Sequence, residues 1–367
     1  MYGRAAVLEQ PGHDVVVREF PVPEPEPGAI LVRLTQCNIC GSDVHAWRGD
    51  FQLKELGGEL PTVLGHEMTG EAFRLGSGVA TDSLGQPLAP GDRVVFPYFT
   101  FCGRCPSCTN GFPIGCRHLR MAMLSGADRF PYFVGGFADY FYLPPAHPII
   151  KIPRDLPETV VAGANCALAQ ICYGFHRAGL VGGKSLVVQG AGGLGLYATA
   201  LANARGLAPV IVIDAVTSRL ELARAFGADI VVNLRETTPT ERRRLVSEAT
   251  GGLGADFVVD VTGNPAAIPE GLGMLRVGGK YLEIGSINRG QTVPLDPSRI
   301  VFGNKTVIGV SLYELFALVE AVQFLIRYGS RYPFAEMTAT TFPLERVNEA
   351  LRLADGRGAP RVALRMP

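Results

Sequence analysis

The chain has 367 residues, and its 34 basic and 34 acidic side chains leave no formal net charge. This length suggests two domains, and the lack of a basic excess argues against a nucleic-acid partner. Eight clustered cysteines are too few for a disulfide scaffold, and the amino-terminal sequence lacks a signal peptide's apolar core, so we expect a cytoplasmic protein. No apolar run reaches the ~18 residues that a membrane span needs, so no membrane partner is expected.

The predicted elements change in character along the chain. Residues 1–150 are β-rich, with strands such as AILVRLTQCNIC separated by proline and glycine. From about residue 155, strands such as SLVVQG, VIVID and DFVVDVTG alternate with helical segments, which predicts a parallel, doubly wound sheet. After about residue 312 the sequence predicts one long amphipathic helix and a final strand, RVALRMP, that returns to the first domain.

A four-cysteine segment lies within the β-rich part. Two, two and seven residues separate the cysteines Cys102, Cys105, Cys108 and Cys116. One tetrahedral Zn²⁺ binds four thiolates at such spacing, which predicts a structural zinc site. The alternatives are a disulfide pair or a zinc knuckle that binds nucleic acid, and the neutral charge argues against the knuckle.

A glycine-rich turn follows the strand SLVVQG and opens a helix. This context predicts a dinucleotide site, because the glycines allow a tight turn and the helix N-terminus offers N–H groups to a pyrophosphate. Asp214 ends the next strand, where its carboxylate binds the ribose hydroxyls and repels a 2′-phosphate, so NAD is favoured over NADP. Arg219 flanks the adenine or is a solvated helix charge. The expected contacts of the turn are Gly190, Gly192, Gly193, Leu194 and Gly195.

Three further metal-ligand residues are spread along the chain. Cys40, His66 and Cys166 together supply two thiolates and one imidazole, a set typical of a catalytic zinc with an open fourth position. Asp43 and Glu67 are close to them in sequence, as carboxylates that orient metal ligands are. Taken singly, each of the three ligands is equally typical of a core residue.

The motifs CGSDVH and GHE, the four cysteines, Cys166 and GAGGLG occur in the order seen in zinc-dependent medium-chain alcohol dehydrogenases. The chain resembles that family over essentially its whole length. The resemblance implies an α/β fold with a GroES-like β-rich catalytic domain and a Rossmann doubly wound parallel-sheet domain. The first would span 1–166 and 312–367 and carry the structural zinc lobe, and the second would span 167–311. Zinc and NAD would bind in a cleft between them.

By position, the resemblance makes Cys40, His66 and Cys166 the catalytic zinc ligands, with Glu67 as a transient fourth ligand. Polyol dehydrogenases place a glutamate at the third ligand position, so a cysteine there favours simple alcohols. The zinc acts as a Lewis acid toward the alcohol substrate. A polyol or sugar-alcohol dehydrogenase on the same scaffold is the alternative, and a non-catalytic nucleotide-binding relative is a further one, although this chain keeps every metal ligand.

The resemblance also implies roles around the metal. Ser42 takes the place of the hydroxyl that contacts the substrate oxygen, and His45 that of the outer imidazole of a proton relay. Some relatives grip the pyrophosphate with an arginine where this chain has Gly41, which makes Arg361 the candidate for that contact. Trp47 and Tyr98 would line the substrate cleft. The alternative for both residues is ordinary packing.

These features predict an enzyme that reversibly oxidises a primary or secondary alcohol with NAD. Aromatic residues at the cleft favour an apolar, cyclic or aromatic substrate. No cluster of basic residues indicates a phosphorylated one. The strand KTVIGVS would pair across a subunit boundary, as the equivalent edge does in relatives, giving a homodimer or homotetramer.

Overall fold

The computed structural model describes residues 1–51, 53–338, 340–356 and 359–367. Within this part the chain divides into two units, each with its own core. The first unit consists of Met1–Ala169, Tyr313–Ser330 and Phe334–Pro367, and the second of Gln170–Leu312 and Arg331–Pro333. The short return of the chain to the second unit is anchored by Tyr332, whose ring stacks on Phe226 and whose hydroxyl donates to Asn203.

In its described residues, the amino-terminal part of the first unit contains ten strands and three α-helices. The described strands are β1 (Tyr2–Leu8), β2 (Val16–Pro21), β3 (Ile30–Asn38), β4 (Thr62–Val63), β5 (Glu67–Leu75), β6 (Arg93–Val95), β7 (Phe99–Thr100), β8 (Arg120–Met121), β9 (Tyr140–Leu143) and β10 (Ile150–Lys151). The helices are α1 (Gly41–Arg48), α2 (Pro106–Thr109) and α3 (Glu158–Val161).

Strands β3 and β5 form the centre of this unit. They pair antiparallel, and their register sets Asn38, at the end of β3, opposite Glu67, at the start of β5. Most residues of β3 are buried, and β5, β9 and β18 all pair with this strand. This register brings the chain segments just after β3 and just before β5 together at one end of the sheet.

The second unit contains a six-stranded parallel sheet in the order β13-β12-β11-β14-β15-β16. Its strands are β11 (Leu186–Gln189), β12 (Val210–Asp214), β13 (Ile230–Asn233), β14 (Ala255–Asp260), β15 (Leu275–Glu283) and β16 (Thr306–Gly309). Its helices are α4 (Ala169–Ala178), α5 (Gly193–Ala204), α6 (Thr217–Ala225), α7 (Pro239–Ala249), α8 (Ala267–Met274) and α9 (Ser298–Val301). The strand order reverses beside β11, which is where doubly wound folds bind nucleotides.

The carboxyl-terminal part returns to the first unit. Its elements are α10 (Leu315–Tyr328), α11 (Phe334–Met337), β17 (Thr340–Pro343), α12 (Val347–Asp355) and β18 (Val362–Arg365). Strand β18 pairs antiparallel with β3, opposite Cys37, so the tail lies in the first unit. Within the described residues, every helix is too short or too polar to cross a bilayer.

Candidate active site and metal centres

Three thiol and imidazole side chains converge in the first unit. The donor atoms of Cys40, His66 and Cys166 all lie within 4.8 Å of one another. Cys40 is the N-cap of α1, just after β3, and His66 directly precedes β5. The β3–β5 register therefore brings these two together, and Cys166 approaches from a third element.

Cys166 lies in a π-helical turn, Ala164–Leu168, a geometry that is frequent at functional sites. The neighbouring Asn165 is fully buried and fastens this turn to the sheet. Its side-chain oxygen accepts from the Met68 N–H at 3.2 Å, and its amide donates to the Phe96 carbonyl at 2.8 Å. Sequence reasoning did not identify Asn165, although one amide in a run of apolar residues beside a ligand was a usable signal.

A buried carboxylate organises two of the three donors. Asp43 accepts from the Cys40 N–H at 2.9 Å, from the Gly65 N–H at 3.0 Å and from His66 Nδ1 at 3.0 Å. The last bond assigns the imidazole proton to Nδ1 and leaves Nε2 with a lone pair for a metal. Asp43 thus fixes both the start of helix α1 and the orientation of the His66 ring.

The electrostatics of this cluster favour a cation. Burial alone would lower the pKa of His66, but Asp43 and Cys40 outweigh it and raise that pKa to about 10. A hydrogen bond with Cys166 is the main reason why the pKa of Cys40 lies well below its usual range. Two sulfur atoms and one nitrogen are the donor set that Zn²⁺ accepts while keeping one position open. The residues therefore fit a zinc ion.

Helix α1 carries two polar side chains on one face, three residues apart. Ser42 Oγ lies 3.3 Å from His66 Nε2, at the edge of the space on which the metal donors converge. One turn further on, His45 lies at the surface, and its Nδ1 is 3.1 Å from Asp50. Asp50 was not among the residues singled out from the sequence.

The two aromatic residues expected at the substrate cleft occupy different surroundings. The buried Tyr98 ring lies 4.7 Å from the His66 ring, and burial followed by the charge of Cys166 raises the pKa of its hydroxyl. Its neighbour Phe99 packs edge-on against both Tyr98 and Tyr313. These three rings form an aromatic wall within the first unit. The Trp47 indole, in contrast, donates to the His13 carbonyl at 2.8 Å, on another face of α1 than Ser42.

Glu67 and Arg361 form a buried ion pair behind the ligands. Asn38, which the sheet register sets opposite Glu67, contacts the same carboxylate at 3.5 Å. Arg361 thus has a buried partner within its own unit, and its role at a pyrophosphate stays a prediction. Glu67 is absent from the converging donor set, so its part as a transient ligand also stays a prediction.

The four clustered cysteines also converge. All four Sγ atoms lie within 4.8 Å of one another, with 3.5 Å between Cys105 and Cys108 and 3.6 Å between Cys102 and Cys116. A hydrogen bond with the Cys108 backbone N–H is the main reason why the pKa of Cys105 falls to about 6. Four thiols around one point fit a closed tetrahedral zinc site.

The predicted nucleotide site lies at the carboxyl end of β11. Gly190 has a φ of 101°, and a Cβ on Gly195 would lie 1.8 Å from the Gly190 oxygen, so the turn requires both glycines. Asp214 accepts from the Ala191 N–H at 2.7 Å and from the Val216 N–H at 2.8 Å. These bonds hold its carboxylate against the turn. Gly192 caps α5, whose first turn holds Gly193 and Leu194, and Arg219 lies in the first turn of α6.

Comparison with known proteins agrees with this arrangement. Residues 26–154 match the family described as the alcohol dehydrogenase GroES-like domain, and 193–327 match the zinc-binding dehydrogenase family. The chain is 34% identical to 5-exo-hydroxycamphor dehydrogenase from Pseudomonas putida over 360 residues, which is 96% of this chain and 95% of that protein.

Solved structures give the same result. An alcohol dehydrogenase from Thermotoga maritima is 32% identical, with a TM-score of 0.94 over all of both chains. A zinc-binding dehydrogenase from Sinorhizobium meliloti, solved with NADP, is 25% identical, with a TM-score of 0.85 over 100% of this chain and 99% of that one. The chain is therefore a member of the zinc-dependent medium-chain alcohol dehydrogenase family, an oxidoreductase that uses zinc and a nicotinamide cofactor.

Proposed function

We propose that this enzyme reversibly oxidises a primary or secondary alcohol, of apolar cyclic or aromatic type, with NAD⁺ at the Cys40–His66–Cys166 centre. The observation that carries the proposal is the convergence of these three donor atoms within 4.8 Å, with the Ser42 hydroxyl 3.3 Å from one of them. Three protein ligands leave a tetrahedral ion one position for a substrate oxygen.

The three donors would hold a zinc ion, which when bound supplies a Lewis acid that makes an alcohol hydroxyl more acidic. The protein's part is to keep the donors in place. Asp43 orients His66 and caps α1, and Asn165 holds the turn that carries Cys166. The buried aromatic side chains of Tyr98 and Tyr313 exclude water from this side of the cluster.

Two side chains on α1 would move the proton. Ser42 stands beside the converging donors, so its hydroxyl accepts the proton of the alcohol and passes its own outward. His45, three residues along the same helix face and partly exposed, receives the proton that Ser42 gives up and releases it to solvent.

Asp214 would select the cofactor. Its carboxylate is held at the end of β12 by two backbone N–H groups and retains lone pairs for the ribose hydroxyls. A negative charge at this point repels a 2′-phosphate, which supports NAD, in contrast to the NADP found in the Sinorhizobium meliloti relative.

The substrate class is supported by chemistry and by similarity. A buried aromatic wall at the metal donors favours apolar rings, and the Pseudomonas putida relative is named for a hydroxylated camphor. The third donor is Cys166, so the feature that would favour polyols, a glutamate at this position, is lacking in this chain.

We also propose that the enzyme is a homo-oligomer assembled through β16, the outer strand of the parallel sheet. Val307 on this strand and the nearby Val301 and Phe302 are exposed, with Phe302 84% accessible. A second copy of β16 in antiparallel orientation would pair with the backbone N–H and C=O groups at this edge of the sheet. It would also cover these exposed side chains. Light scattering should show a dimer or tetramer for the wild type. The V307K variant should shift this oligomeric state toward the monomer.

The test of the proposed reaction is NADH formation from a panel of alcohols with the zinc-loaded enzyme. We expect cyclic and benzylic alcohols to exceed sorbitol in kcat/KM by at least about tenfold. A reversed order would favour the polyol alternative. Binding of NADH without turnover of any alcohol would favour a non-catalytic relative.

A further inference from the structure

Three polar side chains form a row across the parallel sheet of the second unit. Gln189 ends β11, Asp260 ends β14 and Glu283 ends β15. The strand registers set Gln189 beside Asp260, and Asp260 beside Glu283. Adjacent strands lie about 4.8 Å apart, so the two carboxyl groups are neighbours on one face of the sheet. They are close enough to hydrogen-bond to each other.

Each of the two carboxyl groups has one oxygen with good hydrogen-bond donors. Asp260 Oδ1 accepts from the Thr262 N–H at 2.8 Å and from the Thr262 hydroxyl at 2.7 Å. Glu283 Oε1 accepts from the Ser286 N–H at 2.9 Å. The other oxygen of Glu283, Oε2, is buried and has no donor among the described residues. Two ionised carboxylates offer each other only acceptors, so a hydrogen bond between them requires a proton on one.

The hydroxyl of Tyr281 is a poor source of this proton. It lies 3.1 Å from Gln189 Oε1 and 3.3 Å from Asp260 Oδ2, so its single hydrogen is directed to the nearer amide oxygen. The Gln189 amide has this orientation because its Nε2 donates to the Ala267 carbonyl at 3.0 Å. Burial, and then the charge of Asp260, raise the pKa of Tyr281, so the phenol keeps its proton.

The surroundings of the pair do not neutralise it. Within the described residues, no basic side chain forms an ion pair with Asp260 or Glu283. The charged groups of the surrounding elements are Glu270 of α8, which pairs with Arg242 of α7, Arg177 of α4, which donates to the Gly309 carbonyl, and Arg289 in the exposed loop after β15.

These surroundings favour one bound proton. Burial raises the pKa of Asp260, and burial followed by the charge of Asp260 raises the pKa of Glu283 to about 7. A second ionised carboxylate beside the first is disfavoured by repulsion as well as by burial. The pair therefore has one negative charge below neutral pH and two above it.

The pair is tied to the turn at which the cofactor is expected. Asp260 holds Thr262 by two bonds, and a Cβ on Gly190 would lie only 3.0 Å from the Thr262 methyl carbon. A doubly wound sheet binds one half of a dinucleotide on each side of the point where the strand order reverses. With Asp214 of β12 at the adenosine ribose, the nicotinamide half belongs to the side of β14 and β15.

We propose that Asp260 and Glu283 share one proton, and that its release strengthens binding of NAD⁺ relative to NADH. The nicotinamide ring is positively charged in NAD⁺ and neutral in NADH, so a second negative charge in this half of the sheet favours the oxidised form. The carboxyl O–H bond breaks and the proton passes to water, without a further reactant. This inference rests on the proposed function in placing the adenosine half at Asp214.

Infrared difference spectra of the zinc-loaded enzyme test the shared proton, because a protonated carboxyl group absorbs apart from a carboxylate. The wild type should lose one protonated carboxyl band between about pH 6 and about pH 8. This change should be absent in E283Q, whose amide donates to Asp260 at every pH, and in D260N. The matched control is E248Q, which removes the charge of a carboxylate that is 57% exposed on α7, and it should keep the band change.

Titration of the same proteins with NAD⁺ and with NADH tests the link to the cofactor. In the wild type and E248Q, the ratio of Kd for NADH to Kd for NAD⁺ should rise roughly threefold or more from about pH 6 to about pH 8. In E283Q this rise should be smaller by that factor. Groups at the zinc site titrate alike in all three proteins, so their effect cancels from the comparison.

A wild type without the band change, or an equal rise of the Kd ratio in E283Q and wild type, would overturn the proposal. Loss of the band change in E248Q would overturn it as well, since the titrating group would then lie elsewhere. Neither measurement uses an alcohol, so a failure of the proposed substrate class leaves both results intact. The preference of D214N for NAD or NADP tests the ribose assignment separately.

Discussion

The carboxylate of Asp43 holds the Nδ1 of His66 at 3.0 Å, and both side chains are buried. The same carboxylate bonds the backbone of Cys40, so one side chain of α1 sets the geometry of two metal donors. Its charge helps to raise the pKa of His66 to about 10 against the effect of burial. We expect a bound zinc ion to take the place of the positive charge that this anionic pocket would otherwise stabilise on His66.

Removing that charge should loosen the metal. In D43N the shape is kept, but the carboxylate that orients His66 is lost, so we expect zinc affinity to fall about 10- to 100-fold. Competition with a fluorescent chelator measures this directly. D139N is the control, since Asp139 pairs with Arg4 elsewhere in the first unit. Equal zinc affinity in D43N and wild type would contradict the assignment.

The two cysteine clusters should respond differently to an isosteric change. C40S should remove one zinc per chain and lower kcat by at least about 100-fold, because the cluster with an open position is lost. C105S should also remove one zinc but act on stability, lowering the unfolding temperature by several degrees while folded enzyme keeps most of its turnover. Metal analysis, calorimetry and NADH titration separate the two. A C40S enzyme with normal turnover would count against the proposed reaction.

Cofactor preference should depend on Asp214. The Ala191 and Val216 N–H groups bond different oxygens of Asp214, so D214N keeps an acceptor for one of them. It also removes the negative charge that opposes a 2′-phosphate. We expect the ratio of kcat/KM with NAD to that with NADP to fall by roughly tenfold or more. D256N, at the opposite end of the sheet, should keep the wild-type ratio. If D214N also keeps the wild-type ratio of kcat/KM with NAD to that with NADP, a group other than Asp214 distinguishes the two cofactors at the ribose.

One histidine outside the metal clusters should make stability depend on pH. Burial lowers the pKa of His147 to about 4, and its Nε2 lies 2.7 Å from the Pro97 carbonyl. The unfolded chain takes up this proton near pH 6.5 and the folded chain does not, so the contribution to stability is present above pH 6.5 and is lost as pH falls toward 4.

The expected result is a steeper fall in unfolding temperature between pH 7 and pH 5 for the wild type than for H147N. Each protein is compared with itself at the two pH values, so a constant cost of the substitution cancels. The exposed His13 offers the control, and H13N should follow the wild-type slope. Parallel slopes for wild type and H147N would show that this ring titrates alike in the folded and unfolded chain.

Local spacing made part of this site predictable. The glycine turn after β11 and the four cysteines are contiguous, so a short segment contains the whole pattern. Both zinc clusters converge as the sequence analysis expected, but their roles as ligands stay predictions. Cys40, His66 and Cys166 are far apart along the chain, and only the resemblance to a family joined them. The β3–β5 register and a π-helical turn bring them together physically.

The features of the site that the sequence did not predict depend on long-range packing or on the direction of a side chain. Asn165 acts through strands about seventy and one hundred residues away, which no local pattern reveals. Asp50 contacts His45 only because Gly49 reverses the chain. Trp47 is five residues from Ser42, which turns it roughly 140° around the helix. The burial of Arg361 beside Glu67 follows from where the final strand β18 docks.

The docking of β18 also orders events during protein synthesis. This strand pairs with the end of β3, next to Cys40, and the Ile39 N–H bonds the Val362 carbonyl at 2.8 Å. The ribosome makes β18 after every other strand and helix described here. The nucleotide-binding unit therefore has all its strands while the other unit still lacks one. We therefore expect firm binding of the zinc ion only after β18 has been made and has paired with β3.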